Sequence, residues 1–187
     1  MDTLINRTVE EFLRLNYGES LVESTTDELS TLIDTDGRRG RVYALRMLEQ
    51  AAFRLSKPTQ EMLEDLGGWF TRIEAIRRLL RFSGRDFSDF VLRLDEMPSR
   101  AHLILPNLQL PAIEVTQRGQ SLLVRMTPPD SVWRHILVGT IRGMADDYGA
   151  LCLISGEAET IHVNIWDISF TEGRAFFLDD ATEGMRP

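Results

Sequence analysis

Apolar residues recur at helical spacing through the first half of the chain. A first helix is predicted to end at Tyr17-Gly18, where glycine suits a C-terminal cap, and its apolar face consists of Leu4, Ile5, Val9, Phe12 and Leu13. The polar stretch 19–40 predicts at most one short helix. Further helices are predicted over 42–55, 59–66, 69–80 and 87–97, the second of them closed by Gly67-Gly68 and the last running directly into Pro98.

The second half of the chain has the pattern of an antiparallel sheet. Two short apolar runs flank Arg118-Gly119-Gln120, which predicts a hairpin. The residues Pro128-Pro129-Asp130 then predict a rigid lead-in and an N-cap for a long amphipathic helix that ends at Tyr148-Gly149. Strands are predicted over 150–154 and 160–166, with a further strand at 175–178. Helices followed by a sheet that carries one long helix indicate an α+β fold.

Composition and charge narrow the function classes. The 187 residues, 43% hydrophobic and 27% charged, fit one globular domain, and the net charge of −8 argues against a nucleic-acid partner. We expect a cytoplasmic protein without a membrane anchor, because no apolar stretch approaches the ~20 residues that span a bilayer. The single cysteine, Cys152, cannot form an internal disulfide and is expected to be an inert buried thiol.

Several segments together resemble the bacterial haem–nitric oxide/oxygen binding (H-NOX) family. The resemblance covers about residues 1–170 and is shortened at 19–41. It is carried by the helix to Tyr17-Gly18, by Leu66-Gly67-Gly68-Trp69-Phe70, by Leu94-Asp95-Glu96-Met97, by the segment from Leu105 to Pro111, and by Gly139-Thr140-Ile141-Arg142-Gly143.

The resemblance implies the fold and the general role of the chain. It implies a single domain over 1–180, with a mainly helical distal lobe at 1–60. The proximal lobe at 61–180 would carry helices and a four-stranded antiparallel sheet. In the family a haem lies between the lobes, and gas binding causes a conformational change that a partner protein recognises. The resemblance therefore implies a sensor domain rather than an enzyme.

The residue that should ligate the haem iron is missing. By the resemblance a histidine should follow Met97, but the chain has Pro98, which offers no side-chain donor and disfavours a continuing helix. The nearest histidine is His102, about one helical turn further along. It could ligate iron only if the haem shifted or the helix rewound, and we expect His102 instead to open a strand or cap a loop.

The other haem-pocket positions are altered unequally. The family's Tyr-x-Ser-x-Arg clamp for the haem propionates should lie near Met126, Pro128 and Asp130, and none of these supplies the guanidinium that binds a carboxylate in two-pronged fashion. Asp130 would repel a propionate. On the resemblance, the apolar residues Ile5, Phe70 and Pro106 would line the pocket, but we expect ordinary core packing to account for them.

Three hypotheses follow. The first is a regulatory module that binds no haem in the family manner and acts through a histidine kinase, a diguanylate cyclase or phosphodiesterase, or a guanylate cyclase. An apolar small molecule could then occupy the former haem pocket. The second is a haem-dependent sensor of nitric oxide or oxygen that uses His102. The third is an enzyme, for which the sequence offers no phosphate loop, nucleophile elbow or metal motif; we expect His135 and His162 to be surface or hydrogen-bonded core residues.

Overall fold

The computed structural model describes residues 2–32, 41–104, 108, 110–119, 121–157 and 159–167. Within these ranges a set of helices precedes a four-stranded sheet with one long helix inserted, which confirms the α+β prediction. The helices are α1 (Asp2–Tyr17), α2 (Glu19–Leu32), α3 (Arg41–Arg54), α4 (Thr59–Phe70), α5 (Glu74–Arg81), α6 (Phe87–Leu92), α7 (Met97–Ile104) and α8 (Ser131–Tyr148). The strands are β1 (Ala112–Arg118), β2 (Ser121–Thr127), β3 (Leu151–Glu157) and β4 (Thr160–Asp167).

Helix α2 fills much of a stretch for which the sequence predicts at most one short helix. It is 14 residues long. Its buried stripe consists of Val22, Thr25 and Leu29. Because a threonine occupies the middle of this stripe, counting apolar residues alone underestimates the helix.

Helix α4 runs through the two glycines at which the sequence predicts its end, so that prediction is wrong. A Cβ at Gly67 would lie 1.9 Å from the carbonyl oxygen of Ile136 on α8, and one at Gly139 would lie 1.8 Å from the carbonyl oxygen of Glu64. These glycines let the backbones of α4 and α8 touch. They are required by packing between the helices rather than by a turn.

The middle helices also differ from the prediction. Trp69 and Phe70 end α4 instead of beginning the next helix, and α5 starts at Glu74. The helix predicted over 87–97 stops at Leu92, and a 3₁₀ turn at Leu94–Glu96 precedes α7. Pro98 therefore lies in the first turn of a new helix, where its missing N–H breaks no helical hydrogen bond.

The four strands form one antiparallel sheet in the order β1-β2-β4-β3. Val115 pairs with Val124 in the hairpin, Leu122 with Val163, and Ile154 with Val163 on the other side of β4. Alternation places one face of the sheet against α8 and leaves the other exposed. The strand predicted at 175–178 lies outside the described residues.

Helix α8 separates two hydrophobic clusters. The first, which we call the helical core, is built from α1 to α4 and includes Phe12, Met47 and Met62. The second, the sheet core, is built mainly from α6, α8 and the strands. Ile136 of α8 belongs to the helical core, whereas Leu137 belongs to the sheet core. Helix α4 contributes Met62, Leu63 and Leu66 to the helical core.

The contact between α4 and α8 yields a matched pair of substitutions. We expect Gly67→Ala to destabilise the protein by about 3 kcal/mol, because the new methyl group must displace backbone atoms of α8. At the neighbouring Gly68 the nearest atom to an added Cβ is 3.7 Å away. Gly68→Ala should therefore be neutral or stabilise by up to ~1 kcal/mol through helix propensity. Urea unfolding measures both, and equal effects would contradict the assigned helix contact.

Candidate functional site

The segment that should supply an iron ligand places no imidazole in an enclosed site. Pro98 is half-buried in the first turn of α7, and its ring has no donor atom. His102 lies in the last turn of α7 with an exposed side chain, and its neighbour Leu103 is 83% exposed. The expectation that His102 opens a strand or caps a loop is wrong, because the chain is helical again from Met97 onwards.

The three positions of the propionate clamp have other roles in this structure. Met126 is buried in the sheet core. Pro128 is exposed in the turn between β2 and α8. Asp130 is the N-cap of α8, and its carboxylate accepts a hydrogen bond from the backbone N–H of Trp133 at 3.1 Å. The predicted N-cap is confirmed, and none of these side chains provides a cation for a haem carboxylate.

The apolar positions of the family pocket belong to ordinary packing. Ile5 and Phe70 are both half-buried against the helical core, and the Phe70 ring lies 5.7 Å from that of Trp69. Pro106 lies outside the described residues. Two open depressions of about 350 Å³ each are lined by described residues. They lie on the outer surfaces of α1 and α3. Neither depression lies between the two cores.

These residues do not fit a haem bound in the manner of the family. An axial ligand needs an unprotonated ring nitrogen facing the iron, and the propionates need cationic or hydroxyl partners. At the positions that the resemblance assigns, a proline stands where the ligand is expected and a carboxylate at the clamp caps a helix, while the nearest histidine faces solvent. The mismatch therefore affects the iron and the propionates independently.

The described structure brings together a polar cluster between α4 and α8 that sequence analysis did not find. The Nδ1 atom of His135 lies 3.2 Å from Oε1 of Glu64, and its Nε2 atom lies 3.3 Å from a guanidinium nitrogen of Arg134. Since a guanidinium only donates, Nε2 must accept and Nδ1 carries the proton. Glu64 also pairs with Arg142. Glu64 is 71 residues from His135, so local sequence patterns hold no sign of this contact.

Trp133 is the side chain at which the two cores meet. Its indole is half-buried and packs against both the helical core and the sheet core. It lies in the first turn of α8, directly after the Asp130 cap. The start of α8 therefore joins the cores through a large apolar side chain, three residues from the position of the family's clamp.

Other chemistry is limited in the part of the chain that the structure describes. No three His, Cys, Asp or Glu side chains there are grouped to hold a metal ion. Burial raises the pKa of the Cys152 thiol, and the nearby Asp146 carboxylate adds to the effect. His162 is half-buried on β4. Among the described helices, none combines the length and apolar content that a bilayer crossing requires.

Comparison with known proteins gives one family and one fold. The sequence model of the Haem-NO-binding (HNOB) family matches residues 3–152. A mutant H-NOX protein from S. oneidensis is similar with a TM-score of 0.72 at 16% identity, covering 89% of this chain and 97% of that one. A mutant from K. algicida gives 0.70 at 14%, covering 90% and 98%, and one from T. tengcongensis 0.65 at 13%, covering 88% and 97%. No curated protein gives a significant sequence match.

The cap at Asp130 predicts a small and specific stability effect. Asp130→Ala should cost about 1 kcal/mol, because the N–H of Trp133 loses its side-chain acceptor. Asp130→Asn should retain most of the stability, since an amide oxygen caps as well as a carboxylate. Chemical denaturation of the three proteins tests this. A large loss in both variants would show that the charge, not the cap, is what matters.

The raised pKa of Cys152 predicts slow reaction with thiol reagents. The thiolate is the reactive form, so a group whose pKa is raised by burial is mostly unreactive at neutral pH. We expect a disulfide reagent to label folded protein far more slowly than urea-unfolded protein, and the difference to shrink as the pH rises. Equal rates for both states would indicate an accessible thiol.

Proposed function

The chain belongs to the haem-NO-binding family, and from this premise we propose that it is a regulatory domain that signals without a haem held in the family manner. Members of the family are sensor domains and not enzymes themselves. This chain would have the same kind of role but would respond to a signal other than a gas bound to haem. Its output would pass to a partner protein, as in a two-component or cyclic-nucleotide pathway.

The observation that carries the proposal is the pair of mismatches at the iron and at the propionates. Losing the axial histidine alone would still leave a site that could hold the porphyrin by its carboxylates. Here Pro98 replaces the ligand and Asp130 brings a negative charge toward the clamp position. Since both contacts fail together, neither can compensate for the other.

A regulatory domain needs two arrangements that its input can shift between. The contact between α4 and α8 is where such a shift would act, because the helical core and the sheet core meet there. A partner that binds one arrangement more tightly would respond to the change in the populations of the two arrangements. We propose a histidine kinase, a diguanylate cyclase or phosphodiesterase, or a guanylate cyclase as the partner class. We propose an apolar small molecule as the input that replaces haem.

The second candidate function is haem-dependent gas sensing through His102. One observation favours it: His102 is exposed on a helix and is the histidine nearest to the family's ligand position. It would require α7 to turn so that this side chain faces inward. The two functions differ in a single measurable property, the binding of haem through an imidazole.

A haem titration separates the two candidates. We expect the purified protein, expressed with haem supply and then titrated with haemin, to show no Soret band of a histidine-ligated haem. His102→Ala should behave identically, because the protein does not hold this solvent-facing imidazole against a porphyrin. Ser99→Ala, at an exposed position of the same helix, is the matched surface control. A Soret band that is lost in His102→Ala and kept in Ser99→Ala would replace the proposed function with gas sensing.

A further inference from the structure

The outer face of the sheet has an apolar patch at the end where the described chain stops. Three side chains there are exposed, Leu151 by 56%, Leu153 by 50% and Trp166 by 59%. Their neighbours Ile154 and Ile165 are buried on the opposite face. We call these three residues the outer-face patch.

Strand register brings the members of the patch together. Leu153 pairs with Asn164, two residues before Trp166 on β4, and Leu151 pairs with Asp167 across a register shift. Side chains two residues apart on a strand share a face and neighbour those on the adjacent strand. Strand β3 is an edge strand of the sheet. The patch is therefore contiguous and reaches the edge of the sheet formed by the described strands.

We propose that residues 168–187 of the same chain cover this patch, with Phe176, Phe177 and Leu178 packing on Leu151, Leu153 and Trp166. These residues follow Asp167 directly and lie outside the described structure. Their sequence contains three consecutive large apolar residues. Packing these residues against the patch removes apolar surface from water, which is favourable.

The length of the segment suits this occupant. Phe176 is nine residues beyond Asp167, a reach of about 30 Å when extended. The far member of the patch, Leu153, lies opposite Asn164, only about 10 Å back along β4 from Asp167. The apolar stretch can therefore fold back onto the patch without straining the connection.

Tethering favours the chain's own segment over a second copy. A short linker holds its end near the attachment point at an effective concentration of about a millimolar. A second molecule at micromolar concentration would have to outcompete a segment that is already present. This interaction does not depend on haem binding. While it is formed, a partner can reach the outer face of the sheet only by displacing residues 168–187.

Trp166 provides the direct test. In the full chain, the triple substitution F176S/F177S/L178S should raise acrylamide quenching of Trp166 about twofold, because its indole is no longer shielded by apolar contacts. The contribution of Trp166 is isolated by repeating both measurements in a Trp166→Phe background, where the substitutions should change nothing. The matched control D179S/D180S/E183S replaces three polar residues of the same segment and should leave quenching unchanged.

The reciprocal substitution tests the other side of the contact. In L151S/L153S, trypsin cleavage after Arg174 should accelerate about tenfold, because an uncovered segment is open to protease for more of the time. Cleavage after the exposed Arg118 in the β-hairpin should stay constant and so reports any general loss of stability. Unchanged quenching and unchanged cleavage would overturn the proposal. Quenching that depends on protein concentration, and not on residues 176–178, would overturn it in favour of a second copy.

Discussion

The contact between the backbones of α4 and α8 is the constraint on which the rest of the structure depends. At Gly67 and Gly139 each helix approaches the other so closely that no side-chain atom fits between them. The hydroxyl of Thr140 donates to the carbonyl of Ile136 within α8 at 2.9 Å and lies 3.3 Å from the carbonyl of Gly67 on α4. The crossing fixes where α8 lies, and α8 in turn is the wall that the helical core and the sheet core share.

Because α8 is shared, its sequence must satisfy two cores at once. Neighbouring residues such as Ile136 and Leu137 serve different cores, and Trp133 serves both. The polar side of the joint is satisfied by Glu64, which pairs with His135 and Arg142 on α8. A change that moves α8 therefore affects both cores. This coupling is what a domain needs if it is to transmit a change from one lobe to the other.

Local patterns in the sequence predicted the elements whose formation is local. The hairpin around Gly119, the Asp130 cap and the long helix after it follow from turn chemistry and helical spacing, and the structure confirms them. One error arose where a distant partner decides. The sequence predicts a helix end at Gly67, whereas the glycine is needed because α8 lies directly against it. The error at Pro98 has a local cause. The proline does not break a continuing helix, because it lies in the first turn of a new helix that begins at Met97.

The candidate site shows the same division. The absence of the iron ligand and of the clamp remains a prediction, because it depends on which residues the family resemblance matches to those positions. The contact between Glu64 and His135 could not be predicted, because helix packing alone brings residues so far apart in sequence together.

Two of the residues at the positions that the resemblance assigns to the clamp contribute to the fold. Met126 contributes to the sheet core, and Asp130 caps the helix that both cores share. Restoring a tyrosine at Met126 would place a hydroxyl group in an apolar core, which is costly unless it finds a partner. Replacing Asp130 would remove the cap of α8. The positions that the resemblance assigns to the clamp therefore adjoin the helix that both cores share, so introducing the family's clamp residues there should destabilise that helix.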